Sequence, residues 1–334
     1  MIDADLVIVG GGPVGLAAAI EARLAGLSVI VVEQRDGAID KACGEGLMPG
    51  AVPLLERLGV YPSGMPLRGV SYRSANRHAD YRFRNGEGRG VRRLELHTAL
   101  SSRAASLGVQ FEQAKVDSVT QDAGGVTIGV LRSAWAFGAD GLHSSVRRLV
   151  GLESSARGIR RYGLRQHYRV APWTDLIEVH WTPDVEVYVT PVAPDTVGVA
   201  ILGRQGLTMA LPRELKARLV DATPASSTRG AGPLRQLATA PSRGRVLLLG
   251  DASGYVDAIT GEGLRLGFEQ ARVAVAAVTG GPAYDPAWRR VTRDFRMLTS
   301  GLVRAAGSPL RGAIVPAALR LPRVYGGVLE RLAR

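Results

Sequence analysis

Apolar positions near the start of the chain come in short runs punctuated by glycine. Residues 6–9 (Leu-Val-Ile-Val) read as a buried strand, broken by Gly10, Gly11 and Gly12. Residues 14–25 have helical composition, with Gly26 as a stop just past the end. Residues 29–32 form a second buried strand closed by Glu33, which completes one βαβ half. Further on, residues 49–58 predict a short helix and 68–84 predict two strands around Asn76. Residues 94–106 predict a helix ended by Gly108, with Leu96, Leu100 and Leu107 on one face. Residues 109–137 give short strands with a turn at 122–125.

From 162 to 204 the pattern changes to alternation. It recurs in 162–170, 177–181, 185–189 and 196–202, with Pro and Asp between, as in antiparallel sheet. Residues 222–232 predict a loop, 245–249 another buried strand and 263–278 a helix. From Pro286 the chain reads as helical, with breaks at Pro309, Pro316 and Pro322. No internal repeat recurs at a fixed period.

Elements of one nucleotide-binding type thus lie at both ends, with the alternating region between. The expected fold class is α/β: a Rossmann-like cofactor domain, discontinuous in sequence, an inserted mostly antiparallel β-sheet substrate domain and a helical C-terminus. The expected boundaries are 1–65, 91–151 and 236–285 for the cofactor domain, 66–90 and 152–235 for the substrate domain, and 286–334 for the C-terminal helices.

Composition narrows the classes. With 334 residues, 46% hydrophobic and 22% charged, the chain has core material for about two domains. No run of eighteen apolar residues exists to span a bilayer. Asp3 and Asp5 stand where a signal peptide carries positive charge. The single cysteine, Cys43, excludes an intrachain disulfide framework and any cysteine-cluster metal site, and fits a reducing cytoplasm. The net charge is +12, yet only Lys41, Lys115 and Lys216 are lysines. Such an arginine excess reads first as codon bias and second as attraction to an anionic cofactor or membrane surface. No basic stretch interleaves with stacking aromatics, so nucleic acid is not expected as a partner. The histidines 78, 97, 143, 167 and 180 show no metal-ligand spacing, although His167 and His180 fall in the expected sheet.

The sharpest motif is Gly10-x-Gly12-x-x-Gly15 after a strand, opening a helix, with Glu33 ending the next strand. Gly10 permits a tight turn, Gly12 admits a pyrophosphate to the backbone, and Gly15 lets helix and strand pack closely. The N–H groups of Gly12, Val14 and Gly15 would face phosphate at the helix terminus. Glu33 would accept a ribose diol. Two more segments follow in order: Gly-Ala-Asp-Gly-Leu-His at 138–143, and Gly-Asp-Ala-Ser-Gly at 250–254 leading to Thr-Gly-Glu-Gly at 260–263.

Together the three segments resemble the FAD-domain motifs of the flavoprotein aromatic hydroxylase and geranylgeranyl reductase superfamily. The resemblance implies FAD as cofactor and NAD(P)H as a transient reductant. It implies that Asp251 binds the ribityl or pyrophosphate part, and that Gly261, Glu262 and Gly263 face the flavin at a helix N-terminus. Arg93 falls where the family places a polar FAD contact; a solvated helix-end arginine is the simpler alternative. Asp140 matches the middle motif, in part as a structural residue. Lys41-Ala-Cys43-Gly44-Glu45 resembles the Lys-x-Cys-Gly segment of the reductase branch, which passes near the flavin. Lys41 would then meet a phosphate or ribose, and Cys43 would line the pocket. Glu45 reads as a solvated loop carboxylate or, alternatively, a proton relay. Tyr188, in Tyr-Val-Thr-Pro at 188–191, either faces the pocket or packs. Ser253-Gly254 replaces the Ala-His common in the hydroxylase branch, and Thr260–Gly263 looks more like the reductase branch.

The expected function is an FAD-dependent oxidoreductase. The first form is a single-component monooxygenase that uses NAD(P)H and O2 to hydroxylate or epoxidise an apolar or aromatic small molecule. The second is a reductase of prenyl double bonds, and the third a lipid- or partner-binding flavoprotein without turnover. The segment 301–334 carries six arginines against one acid, Glu330, among many apolar residues. It is expected either to pack on the cofactor domain or to meet an anionic membrane surface.

Overall fold

The structure is a computed structural model and describes residues 2–155 and 158–333. Five parallel strands run in the order Val246–Leu248, Leu131–Gly138, Ala4–Val9, Val29–Glu33, Gln110–Gln113. The hairpin Val119–Asp122 and Gly125–Ile128 pairs antiparallel on Leu131–Gly138. The apolar run 6–9 is buried on both faces, which explains its lack of alternation. Leu6 and Ile8 join the core formed with the helices Pro13–Leu24, Arg93–Ser106 and Gly263–Val278. Val7 and Val9 join a second core with Val126, Ile128 and Val146.

The second sheet runs Arg161–Arg169, Thr196–Arg204, Glu186–Ala193, Leu176–Trp181, Gly69–Ser74, Arg77–Arg82. All neighbours pair antiparallel except Leu176–Trp181 with Gly69–Ser74, which is parallel because the latter arrives from an earlier part of the chain. One face carries Ile177, Val179 and Trp181. The other carries Val187, Val189, Val197 and Val199 under the short helix Arg213–Arg218. A small sheet of Gly46–Leu47, Gly88–Gly90 and Met65–Leu67 sits beside them.

Three sequence expectations need correction. Residues 222–232 are not only loop: Thr223–Pro224 and Arg229–Ala231 pair with the edge strand Arg161–Arg169 and cover its free hydrogen-bonding groups. Pro316 does not break a helix. It lies in the first turn of Ile314–Arg320, where its missing N–H costs nothing. The C-terminal segment packs on both layers rather than on the cofactor domain alone. Tyr284–Ala306 lies on Gly263–Val278, while Ile314–Arg320 and Pro322–Ala333 lie on the hairpin of Gly69–Ser74 and Arg77–Arg82. Tyr325 packs against the rings of Tyr72 and Tyr81. Among the described residues, no helix is long and apolar enough to cross a membrane.

Candidate functional site

The loop between Ala4–Val9 and Pro13–Leu24 shows why three glycines stand there. Gly10 has φ +108°, and a Cβ on it would lie 2.5 Å from the Ala139 carbonyl oxygen. A Cβ on Gly15 would lie 1.9 Å from the Gly10 oxygen, so only glycine seats the helix. At Gly12 the nearest atom to such a Cβ is Arg93 Nη2, at 3.9 Å, and the backbone face stays open. No side chain caps the helix, so its first amides and positive dipole end point into that opening. The Val14 side chain lies against Gly250 and Gly267; a Cβ on Gly267 would come within 2.3 Å of it. Val14 therefore serves packing through its side chain and reaches the loop only through its backbone.

Two side chains brace the loop. Glu33 accepts the Gly11 N–H at 2.9 Å and the Arg35 N–H at 3.1 Å. Buried His97 donates from Nε2 to the Gly11 carbonyl oxygen at 3.0 Å, and burial lowers its pKa, which keeps the ring neutral. Nothing in the sequence singles out His97, because a histidine beside Leu96 on a helix face looks like ordinary core.

Around this opening stand charged groups from four parts of the chain. Arg93 is half-buried, and its Nε, like that of Arg92, has no hydrogen-bond partner. A buried donor without an acceptor is costly, so Arg93 is not a solvated helix-end residue; beside an uncapped helix it fits a phosphate. Lys41 sits between Glu33 and Asp251, and burial with Arg35 and Arg93 lowers its ammonium pKa. Asp251 follows the strand Val246–Leu248 in the turn Gly250–Ser253. Burial raises its carboxyl above the usual range, while Lys41, Arg93 and Arg147 oppose that. Asp140 is structural: its carboxylate accepts the Ser145 N–H at 2.6 Å and the Val146 N–H at 3.1 Å, capping Ser145–Leu149. A groove lined by Gly10, Gly12, Glu33, Lys41, Lys115 and Ala139 continues from the loop.

The turn before Gly263–Val278 closes the other end. Gly261 has φ +72°, and a Cβ on Gly263 would lie 3.4 Å from the Tyr255 ring. Glu262 is buried with Oε1 unpartnered, and burial pushes its carboxyl up to about 7 against the pull of Arg265. The Tyr188 hydroxyl donates to the Ile259 carbonyl oxygen at 2.9 Å, tying the second sheet to this turn. Nearby, buried Glu186 accepts from Arg161 and Arg311, and Arg161 also meets Asp257 at 3.1 Å.

The segment 41–46 crosses between the two sheets. Glu45 is buried at φ +58°, a strained backbone for a residue with a side chain. Its Oε1 accepts the Arg93 N–H at 2.8 Å, and its Oε2 lies 2.6 Å from His167 Nε2. The expected solvated carboxylate is thus corrected: burial is affordable because each oxygen has a partner. Arg165, fully buried, bonds Asp40 and approaches His167 Nδ1 at 3.2 Å. Cys43 Sγ accepts the Glu45 N–H at 3.4 Å, and burial raises its thiol pKa, as suits a lining group rather than a nucleophile. His180 meets Glu178 at 3.0 Å beside Arg73 and stays apart from this centre. Sequence reading missed the partnership of Glu45 with His167, 122 residues apart, because no local spacing encodes it.

The comparisons agree with this geometry. Residues 3–283 match the family described as FAD binding domain. The chain is 29% identical to a menaquinone reductase of Mycolicibacterium smegmatis, over 87% of this chain and 80% of that protein. It is 28% identical to an anhydrotetracycline monooxygenase of Streptomyces rimosus, over 80% of this chain but only 61% of that protein's length. A structure of the flavin-dependent brominase Bmp2, in triple-mutant form, superposes with TM-score 0.83 at 18% identity, covering 99% of this chain and 94% of that one. The uncapped helix, the open Gly12 face and the unpartnered Arg93 fit the diphosphate of FAD. The chain belongs to the FAD-binding domain family and is an FAD-dependent oxidoreductase.

Proposed function

We propose that this enzyme is a single-component monooxygenase that uses NAD(P)H and O2 to hydroxylate or epoxidise an apolar or aromatic small molecule. The observation that supports the reading is the apolar cluster packed between the second sheet and the turn 255–263. There Met48, Leu67, Ile177, Leu202 and Ile259 are buried, with Leu142, Tyr188, Tyr255 and Ala258 packed around them. Such surroundings keep water from the turn that would face the flavin, and suit an apolar substrate beside it. Bound FAD supplies the redox chemistry, passing reducing equivalents from NAD(P)H to oxygen.

The chain's own residues bind, orient and shield. Gly10, Gly12, the Val14 and Gly15 amides and Arg93 hold the diphosphate. Glu33 takes the adenosine ribose, and Lys41 and Asp251 the phosphate and ribityl end. Gly261, Glu262 and Gly263 face the flavin edge, where an uncapped helix terminus favours negative charge. Tyr188 holds the turn against the sheet. We place the enzyme in the cytoplasm, meeting a membrane surface through its basic C-terminus.

A second reading, reduction of prenyl double bonds, is favoured by the buried Glu45–His167 pair on the Lys-x-Cys-Gly segment, since saturating an alkene needs a proton at carbon. Incubation with candidate polyketide and prenyl substrates, with and without oxygen, separates the two. Gain of one oxygen atom with oxygen consumption supports the first reading. Gain of two hydrogens at equal rate without oxygen replaces it with the second.

A further inference from the structure

The Glu45 centre extends to the protein surface. Ser226 is half-exposed on the segment between the two short edge strands, and its Oγ lies 2.9 Å from His167 Nδ1. His167 Nε2 lies 2.6 Å from Glu45 Oε2, so three side chains form one hydrogen-bonded line. The direction of that line follows from chemistry. Arg165 Nη1 lies 3.2 Å from His167 Nδ1, and a guanidinium only donates. This contact favours Nδ1 as acceptor and Nε2 as the donor to Glu45, with the Ser226 hydroxyl shared between Nδ1 and the Ser227 carbonyl oxygen, 3.2 Å away. Asp40 bonds Arg165 and also meets Arg229 at 3.2 Å, which fixes Arg165 in place.

We propose that Ser226, His167 and Glu45 form a proton path from solvent to the cofactor cleft, delivering at Glu45 beside Cys43. This deepens the proposed function, which supplies the need for a proton in either form of the reaction. In the transfer, Glu45 Oε2 takes the proton of His167 Nε2. The Ser226 hydroxyl turns from the Ser227 carbonyl oxygen to give its proton to His167 Nδ1, and Ser226 regains one from a solvent acid. The O–H bond formed at Glu45 is matched by the bond broken in that acid, and the ring ends neutral in the other tautomer. Arg165 can release Nδ1 during the step, because its Nη1 already lies 3.4 Å from Ser226 Oγ. The charged or titratable groups facing the path are Arg93, Arg165 and Cys43, with Asp40 one contact further out. The strained Glu45 backbone fits a side chain held for this position rather than for local comfort.

The test uses the FAD-loaded chain. On chemical reduction with dithionite in weak buffer, proton uptake is followed by a pH dye in wild type, Ser226→Ala, His167→Gln, Glu45→Gln and the conservative Glu45→Asp. Uptake is expected to slow by at least about a hundredfold in His167→Gln and Glu45→Gln, less in Ser226→Ala, and to recover in part in Glu45→Asp. Infrared difference spectra of the same reduction should show a protonated carboxyl that is missing from Glu45→Gln. Unchanged uptake in all variants with FAD retained overturns the path. So does a nitrogen-15 spectrum of the wild-type chain in which the resting His167 carries its proton on Nδ1 or on both nitrogens, a measurement that needs no variant. Loss of FAD from Gly12 or Arg93 variants would instead bear on the cofactor assignment.

Discussion

The cofactor loop and the Glu45 centre hold buried charge in opposite ways. At the loop, the helix terminus is uncapped and the Arg92 and Arg93 Nε atoms have no acceptor; at the far end of the site, Glu262 Oε1 has no donor. At the Glu45 centre, both carboxylate oxygens and both ring nitrogens of His167 are engaged within the protein, and Arg165 Nε is left without a partner. Buried polar groups are normally satisfied, so a cluster that is not satisfied is built for something the chain does not itself contain. The contrast matches the roles proposed for them, ligand binding at the first region and proton transfer at the second.

The largest effect that would break this contrast concerns the loop backbone. Gly15→Ala places a methyl 1.9 Å from the Gly10 oxygen, where only backbone can move. It should cost about 3 kcal/mol or more of stability, read as a fall in Tm, and abolish FAD retention. A variant with wild-type Tm and a full flavin spectrum would mean that the helix seats differently. Next come the charges. Asp251→Ala and Arg93→Met should each weaken FAD binding by about 1–3 kcal/mol, roughly ten- to a hundredfold, by removing a charge-assisted partner. Equilibrium dialysis of the folded variants checks this, and full affinity in Arg93→Met would remove the phosphate role from its guanidinium.

Glu262 sharpens the comparison through pH. Its carboxyl is raised by burial to about 7 in the folded chain. The folded state therefore keeps a proton that the unfolded state releases at its ordinary, lower pKa. The stability tied to that proton is complete below the unfolded value and is lost as pH rises toward about 7. Thermal melts of the FAD-loaded protein between these limits should show a falling Tm, and Glu262→Gln should flatten the slope. An unchanged slope in the variant would place the titration elsewhere, first at Asp257, which burial pushes up to about 6.

What was legible in the sequence follows the same division. The loop was readable because its demands are local: close approach at Gly10 and Gly15 forces glycine at fixed spacing, and Glu33 must end the next strand. The helix at 263–278 and the strands near 6–9 and 29–32 were readable because their burial is uniform and their stops are glycines. Glu45 was not readable as buried, since its partners come from residues 93 and 167 and only the fold joins them. The edge strands Thr223–Pro224 and Arg229–Ala231 escaped notice because they pair through backbone alone, with a composition that suits a loop. Arg311, one of the six arginines of 301–334, bonds Glu186 and the Thr182 carbonyl oxygen in the interior, a role its basic surroundings do not reveal.

The smallest expected effect lies at the C-terminus, where a third arrangement of charge appears. Leu321, Val324 and Val328 fall three and four residues apart and form one exposed stripe, with exposed Arg320 and Arg323 beside it. Glu330, the one acid of this segment, is turned inward, accepting from the Tyr81 hydroxyl, the Arg84 N–H and the Asn85 side-chain amide. Arg331 is paired with Asp294, and Arg334 lies outside the described residues. The outward face is thus cationic and apolar together, the complement of an anionic lipid surface. Each arginine there adds about 1 kcal/mol near such a surface. Arg320→Glu with Arg323→Glu should therefore lower co-sedimentation with vesicles containing anionic lipid by about tenfold or more, with little change in Tm or FAD content. Binding should weaken in high salt and be slight on neutral vesicles. Equal binding to both vesicle types, or none to either, would reduce the stripe to ordinary surface and leave the helix its other task, packing Tyr325 and Leu329 against the second sheet.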